Sequence, residues 1–517
     1  VSSPIGNTAG TWVSSGATAT FTPESPFAPL TEYTVTVAAS VRAADGEALA
    51  ATYVLQFTTV TAFHTFNFVT NQYQLKPAQK VGEGTNCRIY VEQGKTVSPA
   101  AVAAVIDRFD NDIYGNVVAR FGSEPSPGAD GTPMIFIFLM DIVDGYVPGG
   151  GYIAGYFDAV NELPIEDVYA SGYRSNQKEI FYMDISPGDP SGTAFYRTLA
   201  HEFQHMIHWE HKENDDAWLN EAMSEAAPFY AGFGANYTRV QYFQTGSSRS
   251  DSLTQWNDQL ADYSVVYMWA QYMADRFPVD VFQGILARPE NGIESVDQYL
   301  QANHGITFAE VFRNWSIAVL SGTTLTWPGH PEWSYTTIDT WPGMHGGIFL
   351  PGFFTSSYEN VVSPTALPPW SIGLYKYTSP DVNQTFTWNP SGVPAPQASF
   401  YDNAADTLTF DLAPLATETY NGPAGAYLVL QNPSGFASSS STTTNPAILA
   451  QSSIALSPLE KVRAASRATA LGSSSGIAGE PVPVCVHEFV NRRAKDARER
   501  VKEVREARWV RDRRNAR

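Results

Sequence analysis

Cysteine is scarce in this 517-residue chain, occurring only at Cys87 and Cys485. Two thiols so far apart make no disulfide framework, and they point away from a zinc site built on cysteines. Long apolar runs are also missing. No stretch reaches the 18 or more apolar residues of a membrane-spanning helix, and the longest run, Met134–Met140, has the length of a strand. Positive charge is short over most of the sequence. The net charge is −20, yet from Pro458 onward 15 Lys and Arg stand against 8 Asp and Glu, which leaves 17 basic and 44 acidic residues before it, a net of −27. An acidic body argues against nucleic-acid partners and for solubility in an extracellular medium. The opening Val1-Ser-Ser-Pro4 has neither the basic start nor the apolar core of a signal peptide, so the chain reads as a mature or truncated piece. So few cysteines in a secreted chain suit a bacterial origin better than a eukaryotic one.

Two to four domains are expected at this length. Residues 1–62 read as β. Tyr33-Thr-Val-Thr-Val37 alternates apolar and polar residues as a half-buried strand does. Thr18–Thr22 precedes it, Pro23, Pro26 and Pro29 mark the connection, Asp45-Gly46 signals a turn, and Tyr53–Thr59 is a further strand. The run TATFTP, PLTEYTVTV, ADGEAL and FTT resembles the C-terminal half of a bacterial Ig-like domain, which implies a structural spacer truncated upstream. Residues 63–350 mix helices and strands. Ser98 can cap a helix in which Val102, Val105, Ile106, Phe109, Ile113 and Val117 follow helical spacing. Strands are expected at Pro133–Met140 and Glu179–Asp184, with a Gly-rich loop at Gly145–Gly155 between them. Helices are expected at about 191–212, 216–233 and 263–277. Residues 351–450 turn to β again, with strands at Ile372–Tyr377, Thr385–Trp388, Thr407–Leu412 and Ala426–Gln431 that suggest a small β-sandwich. Ser438–Asn445 has the composition of a flexible linker. Residues 451–517 complete a linker and charged tail. From Val486 the tail is rich in Arg, Ala and Glu and can form a helix through Glu–Arg pairs, but it offers little apolar surface and is expected to be solvated helix or disordered.

The chemistry gathers at His201-Glu202-Phe203-Gln204-His205. Two histidines four residues apart lie on one helical face, one turn apart, so both rings can reach one metal ion. Glu202 lies beside the first of them, where it can take a proton from an activated water. A third ligand is needed. Glu221 follows His205 by 16 residues, enough for a helix to end and a second to return, with Asn214, Asp215 and Asp216 as caps. Glu225, one turn later, shares its face and can orient His201 or His205. The rival is His211, ten residues after His201. The HExxHxxGxxH arrangement that uses such a histidine needs a glycine where this chain has His208, which favours Glu221.

An oxyanion donor is usually Tyr or His; Tyr263, Tyr267 and His304 are candidates, Tyr263 first. Asp141 and Asp144 could hold Ca2+, although isolated acidic pairs more often cap turns. The strand at Glu179–Asp184 could accept an extended peptide by strand addition.

The segments AHEFQHMIHWEH and WLNEAMSE resemble the glutamate-zincin peptidases, and specifically the hyicolysin-like group. VGEGTNCRIYV at Val81–Val91, DIVDGY at Asp141–Tyr146, GYF at Gly155–Phe157, SNQKEIFYMD at Ser175–Asp184 and FAEVFRNWSIA at Phe308–Ala318 match as well, over about residues 65–345. The resemblance implies a thermolysin-like zincin domain, which the Ig-like β-sandwich fragment and the C-terminal β-sandwich expected from the strand pattern would flank in an α+β multidomain chain. It implies a secreted zinc endopeptidase with Zn2+ on His201, His205 and Glu221, Glu202 as general base and polypeptides as substrates. Glutamate zincins often carry Asp where this chain has Glu225, so the likeness does not extend to that position. The two β regions suit a cell-wall or surface partner, and an inactive zincin serving adhesion is the competing expectation.

Overall fold

The computed structural model describes most of residues 2–58, 61–352 except 246–249 and 258, and then 354–357, 367–379, 383–387, 397–413, 416–432 and 482–515. The predicted linker Ser438–Asn445 lies outside the described residues, as do Pro26, Pro29, Asp45 and Trp388.

At the N-terminus, strands Glu32–Val37 and Tyr53–Thr58 pair antiparallel, and Gly10–Ser15 pairs with Thr18–Pro23 in a hairpin. The aromatic residues of this region meet one another: Phe27 lies 4.5 Å from Tyr33 and 5.5 Å from Phe57 between ring centroids.

The centre of the molecule is a six-stranded mixed sheet. Its strands are β1 (Thr61–Asn67), β2 (Gln72–Glu83), β3 (Cys87–Glu92), β4 (Ile135–Met140), β6 (Gly155–Phe157) and β7 (Ile180–Asp184), in the spatial order β6-β7-β4-β3-β2-β1. A short strand, β5 (Gly151–Ile153), precedes β6. All six residues of β4 are buried, because the pleat sends alternate side chains to two covered faces. Ile135, Ile137 and Leu139 enter the larger core beneath the helices. Phe136, Phe138 and Met140 enter a second core with Phe63, Phe66 and Tyr156. The strand expected at Glu179–Asp184 is present as β7, but it is not available for strand addition. It is paired parallel with β4 on one side and antiparallel with β6 on the other. At this end of the sheet the edge strand is β6, and at the other end it is β1.

Between β3 and β4, Ser98 Oγ accepts the backbone N–H of Ala101 and caps a helical run that continues from Pro99 to Phe121. Val105, Phe109, Ile113, Val117 and Phe121 are its fully buried stripe. After β7 come α1 (Thr193–His211), α2 (Ala217–Pro228), α3 (Tyr237–Phe243) and α4 (Leu260–Arg276). Helices α1 and α2 are buried nearly all round, with every residue from Leu199 to Trp209 and from Trp218 to Pro228 in the interior.

Further on, Ser371–Thr378, Ala426–Asn432, Gln397–Asp402 and Thr407–Thr409 form one sheet with Phe354–Ser357, and Gln384–Thr387 pairs with Thr417–Tyr420. Strand Gln397–Asp402 was not anticipated. It follows a Pro-rich stretch and alternates poorly, yet it pairs with both Ala426–Asn432 and Thr407–Thr409.

The C-terminal tail departs from expectation. It forms a short strand, β8 (Val482–Val484), and a helix, α5 (His487–Asn515). Strand β8 pairs parallel with β5. Helix α5 is docked, with Val490, Ala494 and Ala497 fully buried and Val501 nearly so. Val486 and Val490 close the second core over Phe136 and Phe138. A tail that looked too polar to dock covers one face of the central sheet.

Candidate metal centre and active site

The helical spacing of the HExxH segment has its expected consequence. His201 and His205, on successive turns of α1, present their Nε2 atoms 3.0 Å apart. The segment 212–216 turns the chain, and α2 returns across α1. This carries the Glu221 carboxylate to 3.4 Å from His201 Nε2 and 3.7 Å from His205 Nε2. Burial holds both imidazoles below their ordinary range, His201 at about 4 and His205 at about 3, so both are neutral with lone pairs to offer.

The second nitrogens are held as well. His205 Nδ1 lies 2.8 Å from Asn220 Oδ1 and 2.9 Å from Ser224 Oγ. Accepting its proton at Asn220 leaves Nε2 bare toward the cluster. His201 Nδ1 faces the Glu225 carboxylate at 3.9 Å, and that carboxylate is gripped by Arg239 through Nη2 at 2.6 Å and Nε at 3.1 Å. Asn220, Ser224 and Arg239 were not singled out in the sequence. For Asn220 the signal was its place beside Glu221 on the returning helix.

Glu202 is buried beside the cluster. Its Oε2 accepts the backbone N–H of Phe157, on the edge strand β6, at 3.0 Å. Burial, and then the neighbouring Glu221 charge, push its carboxyl well above the usual carboxylate range. The edge strand comes this close because position 155 is glycine: a Cβ there would meet Met183 Sδ at 2.9 Å and Thr198 Cγ2 at 3.1 Å.

Tyr263, on α4, is buried, and its hydroxyl donates to the backbone oxygen of Cys485 at 3.3 Å. Tyr267 is not placed for such a role, because its hydroxyl accepts the backbone N–H of Asn236 in the core. His304 ends the helix Gly292–His304, exposed and packed against Phe277 and Tyr299. His211 is exposed, with its Nε2 against Gly122, and stays outside the cluster. His208, by contrast, lies in the interior. It is fully buried, with Nε2 3.0 Å from Asp215 Oδ2, and Asp215 in turn accepts the backbone N–H of Gly292 at 2.7 Å. It pins the turn between α1 and α2.

The acidic pair at the end of β4 is already engaged. Asp144 accepts backbone N–H groups of Tyr146 and Ile153 at 2.8 and 2.6 Å, and Asp141 pairs with Lys95 at 2.5 Å.

Among the described residues, the group able to hold a metal ion is His201, His205, Glu221 and Cys485. Two cysteines do not make a site built on cysteines, but one of them, Cys485, stands beside the histidines and Glu221. Cys485 Sγ lies 3.8 Å from His205 Nε2 and 3.7 Å from Glu221 Oε1. The four donors suit zinc. Ligand bonds of about 2.05 Å to N and O and about 2.3 Å to S imply tetrahedral edges of roughly 3.4 Å and 3.6 Å, close to the separations observed.

Comparison with known proteins agrees with this chemistry. Residues 1–59 match the family model of the bacterial Ig-like domain. The neutral metalloprotease ShpI of Staphylococcus hyicus is 27% identical over 344 residues, covering 62% of this chain and 72% of that protein. No helix among the described residues is long and apolar enough to cross a membrane. The chain is an α+β protein that carries a bacterial Ig-like domain at its N-terminus and is similar over 62% of its length to a neutral metalloprotease.

Proposed function

We propose that the chain is a secreted zinc-dependent endopeptidase. The observation that carries this is the convergence of His201 Nε2, His205 Nε2 and the Glu221 carboxylate within 3.0 to 3.7 Å, with Glu202 buried beside them. His201, His205 and Glu221 would hold the ion. An ion of zinc bound there would supply Lewis-acid polarisation of a carbonyl and acidify a nearby water. Glu202 then accepts the proton of the attacking water on its carboxylate and delivers it to the leaving amine nitrogen. The Phe157 N–H holds one Glu202 oxygen and leaves the other for this traffic. Tyr263 donates a hydrogen bond to the substrate oxyanion, a role supported by its hold on the Cys485 carbonyl. An extended substrate would lie along the edge strand β6 and its neighbour β5, since β7 has both partners already.

The architecture that accompanies this reading is a thermolysin-like catalytic domain over 63–350, preceded by the Ig-like region to residue 62. A C-terminal β-sandwich follows over 351–450, and then the 451–517 tail. The β regions would present the enzyme to a wall or surface partner. A calcium ion finds little support, because Asp141 and Asp144 are engaged elsewhere.

Two assays test the proposal together. Digestion of a casein or peptide library should stop on chelation and return with zinc. Glu202→Gln should retain one zinc per chain and lose activity by about 10²- to 10⁴-fold, the range of a general base. Full activity in Glu202→Gln would refute the assignment. Bound zinc with no peptidase activity in any form of the chain would favour the inactive adhesion protein.

A further inference from the structure

The tail raises the question of what occupies the position opposite the three proposed ligands. Four features converge there. Cys485 Sγ stands within 4.8 Å of the donor atoms of His201, His205 and Glu221. The residues just before it, β8, are hydrogen-bonded to β5 beside the sheet edge, in the lane an extended substrate would need. The Cys485 carbonyl accepts the Tyr263 hydroxyl. The imidazole of His487 stacks on His205, with ring centroids 3.6 Å apart and planes 3° from parallel, and its Nε2 lies 3.1 Å from Asn220 Nδ2. One short segment therefore fills the metal's open face, the peptide lane and the oxyanion donor at once.

The segment is also anchored at a distance. Arg493 lies 3.7 Å above the Phe66 ring and 3.5 Å from Asp158. Arg498 pairs with Glu213 and lies over Trp209, and Asp496 accepts the Tyr173 hydroxyl. The basic tail thus meets the acidic body, and Val490, Ala494 and Ala497 are buried beneath it.

We propose that residues 482–501 are a built-in inhibitor. The Cys485 thiolate serves as fourth ligand to the zinc held by His201, His205 and Glu221, replacing the water that hydrolysis requires. This rests on the zinc reading above. Cys485 gives up its thiol proton to solvent on binding and regains one on leaving, so the step needs no redox partner. A catalytic zinc site keeps one open position, whereas a closed four-ligand site does not hydrolyse. The enzyme is latent while the tail is docked and active once it leaves.

The test uses the full chain loaded with cobalt(II) in place of zinc. The wild type should bind one cobalt and show a thiolate-to-cobalt charge-transfer band. Cys485→Ser and Cys485→Ala should keep one cobalt and lose the band, and their zinc forms should gain peptidase activity. A gain of roughly tenfold or more corresponds to a docked state populated above about nine-tenths. Cys87, fully buried, is silent to thiol reagents. One thiol of the wild type should therefore become reactive when the metal is stripped, a readout that does not depend on the variants folding. One bound cobalt without the band would overturn the inhibitor and leave the three-ligand site standing. No bound cobalt would overturn the zinc reading and the inhibitor with it. The band without any gain of activity in the variants would mean a closed structural site and would also overturn the inhibitor.

Discussion

At the residue scale, the candidate site separates what local spacing dictates from what packing adds. His201, Glu202 and His205 were legible because one helical period fixes their relation. Glu221 was legible because sixteen residues suffice for a turn and a returning helix. The groups that hold the second imidazole nitrogens were not, since they depend on how α2 is rotated against α1. Asn220 Oδ1 and Ser224 Oγ both reach His205 Nδ1. Outer partners of this kind fix the ring and its tautomer, and losing them typically costs 10- to 100-fold in metal affinity. Asn220→Ala combined with Ser224→Ala should therefore weaken zinc binding by about that factor, measured by competition against a chromophoric chelator. An unchanged affinity would mean that packing alone orients His205.

At the element scale, α4 carries Tyr263 and begins with a strained arrangement of charge. Asp262 caps it, accepting the backbone N–H groups of Asn257 at 2.9 Å and Gln259 at 2.8 Å. Burial, and then the neighbouring Asp251 carboxyl, hold the Asp262 carboxyl far above its ordinary range. As pH rises past the ordinary carboxylate range, the unfolded chain gives up this proton while the folded chain retains it. The native state then binds more protons, so stability falls with rising pH. Asn at position 262 can accept the same backbone groups and donate to Asp251, with no proton to lose. Asp262→Asn should flatten the decline in melting temperature between pH 5 and 8 and raise stability at the upper end. Identical slopes for the two proteins would show that another group governs the decline. The sheet illustrates the same limit of sequence reading. An apolar run such as Glu179–Asp184 marks a strand, but not its neighbours. Only the pairing with β4 and β6 shows that β7 lies inside the sheet.

At the scale of the whole molecule, the tail is the feature the sequence concealed. Val486, Val490, Ala494, Ala497 and Val501 recur every three or four residues, the stripe of a docked helix. Small side chains make that stripe weak beside so many arginines, and its partners lie some 300 residues earlier in the chain. Composition therefore pointed to solvent where the fold supplies a cover for Phe136, Phe138 and Tyr156. The docking combines this burial with cations, of which Arg493 is more deeply buried than Arg498. Arg493→Glu would put a carboxylate beside buried Asp158 and remove the cation from the Phe66 ring. Reversing one partner of a buried pair costs on the order of 3 kcal/mol or more. Lys502→Glu makes the same change of charge at an exposed position of α5. Amide hydrogen exchange should thus speed up across 487–501 in Arg493→Glu and remain as in the wild type in Lys502→Glu. Equal exchange in the two variants would mean that net charge, rather than this contact, holds the tail against the body.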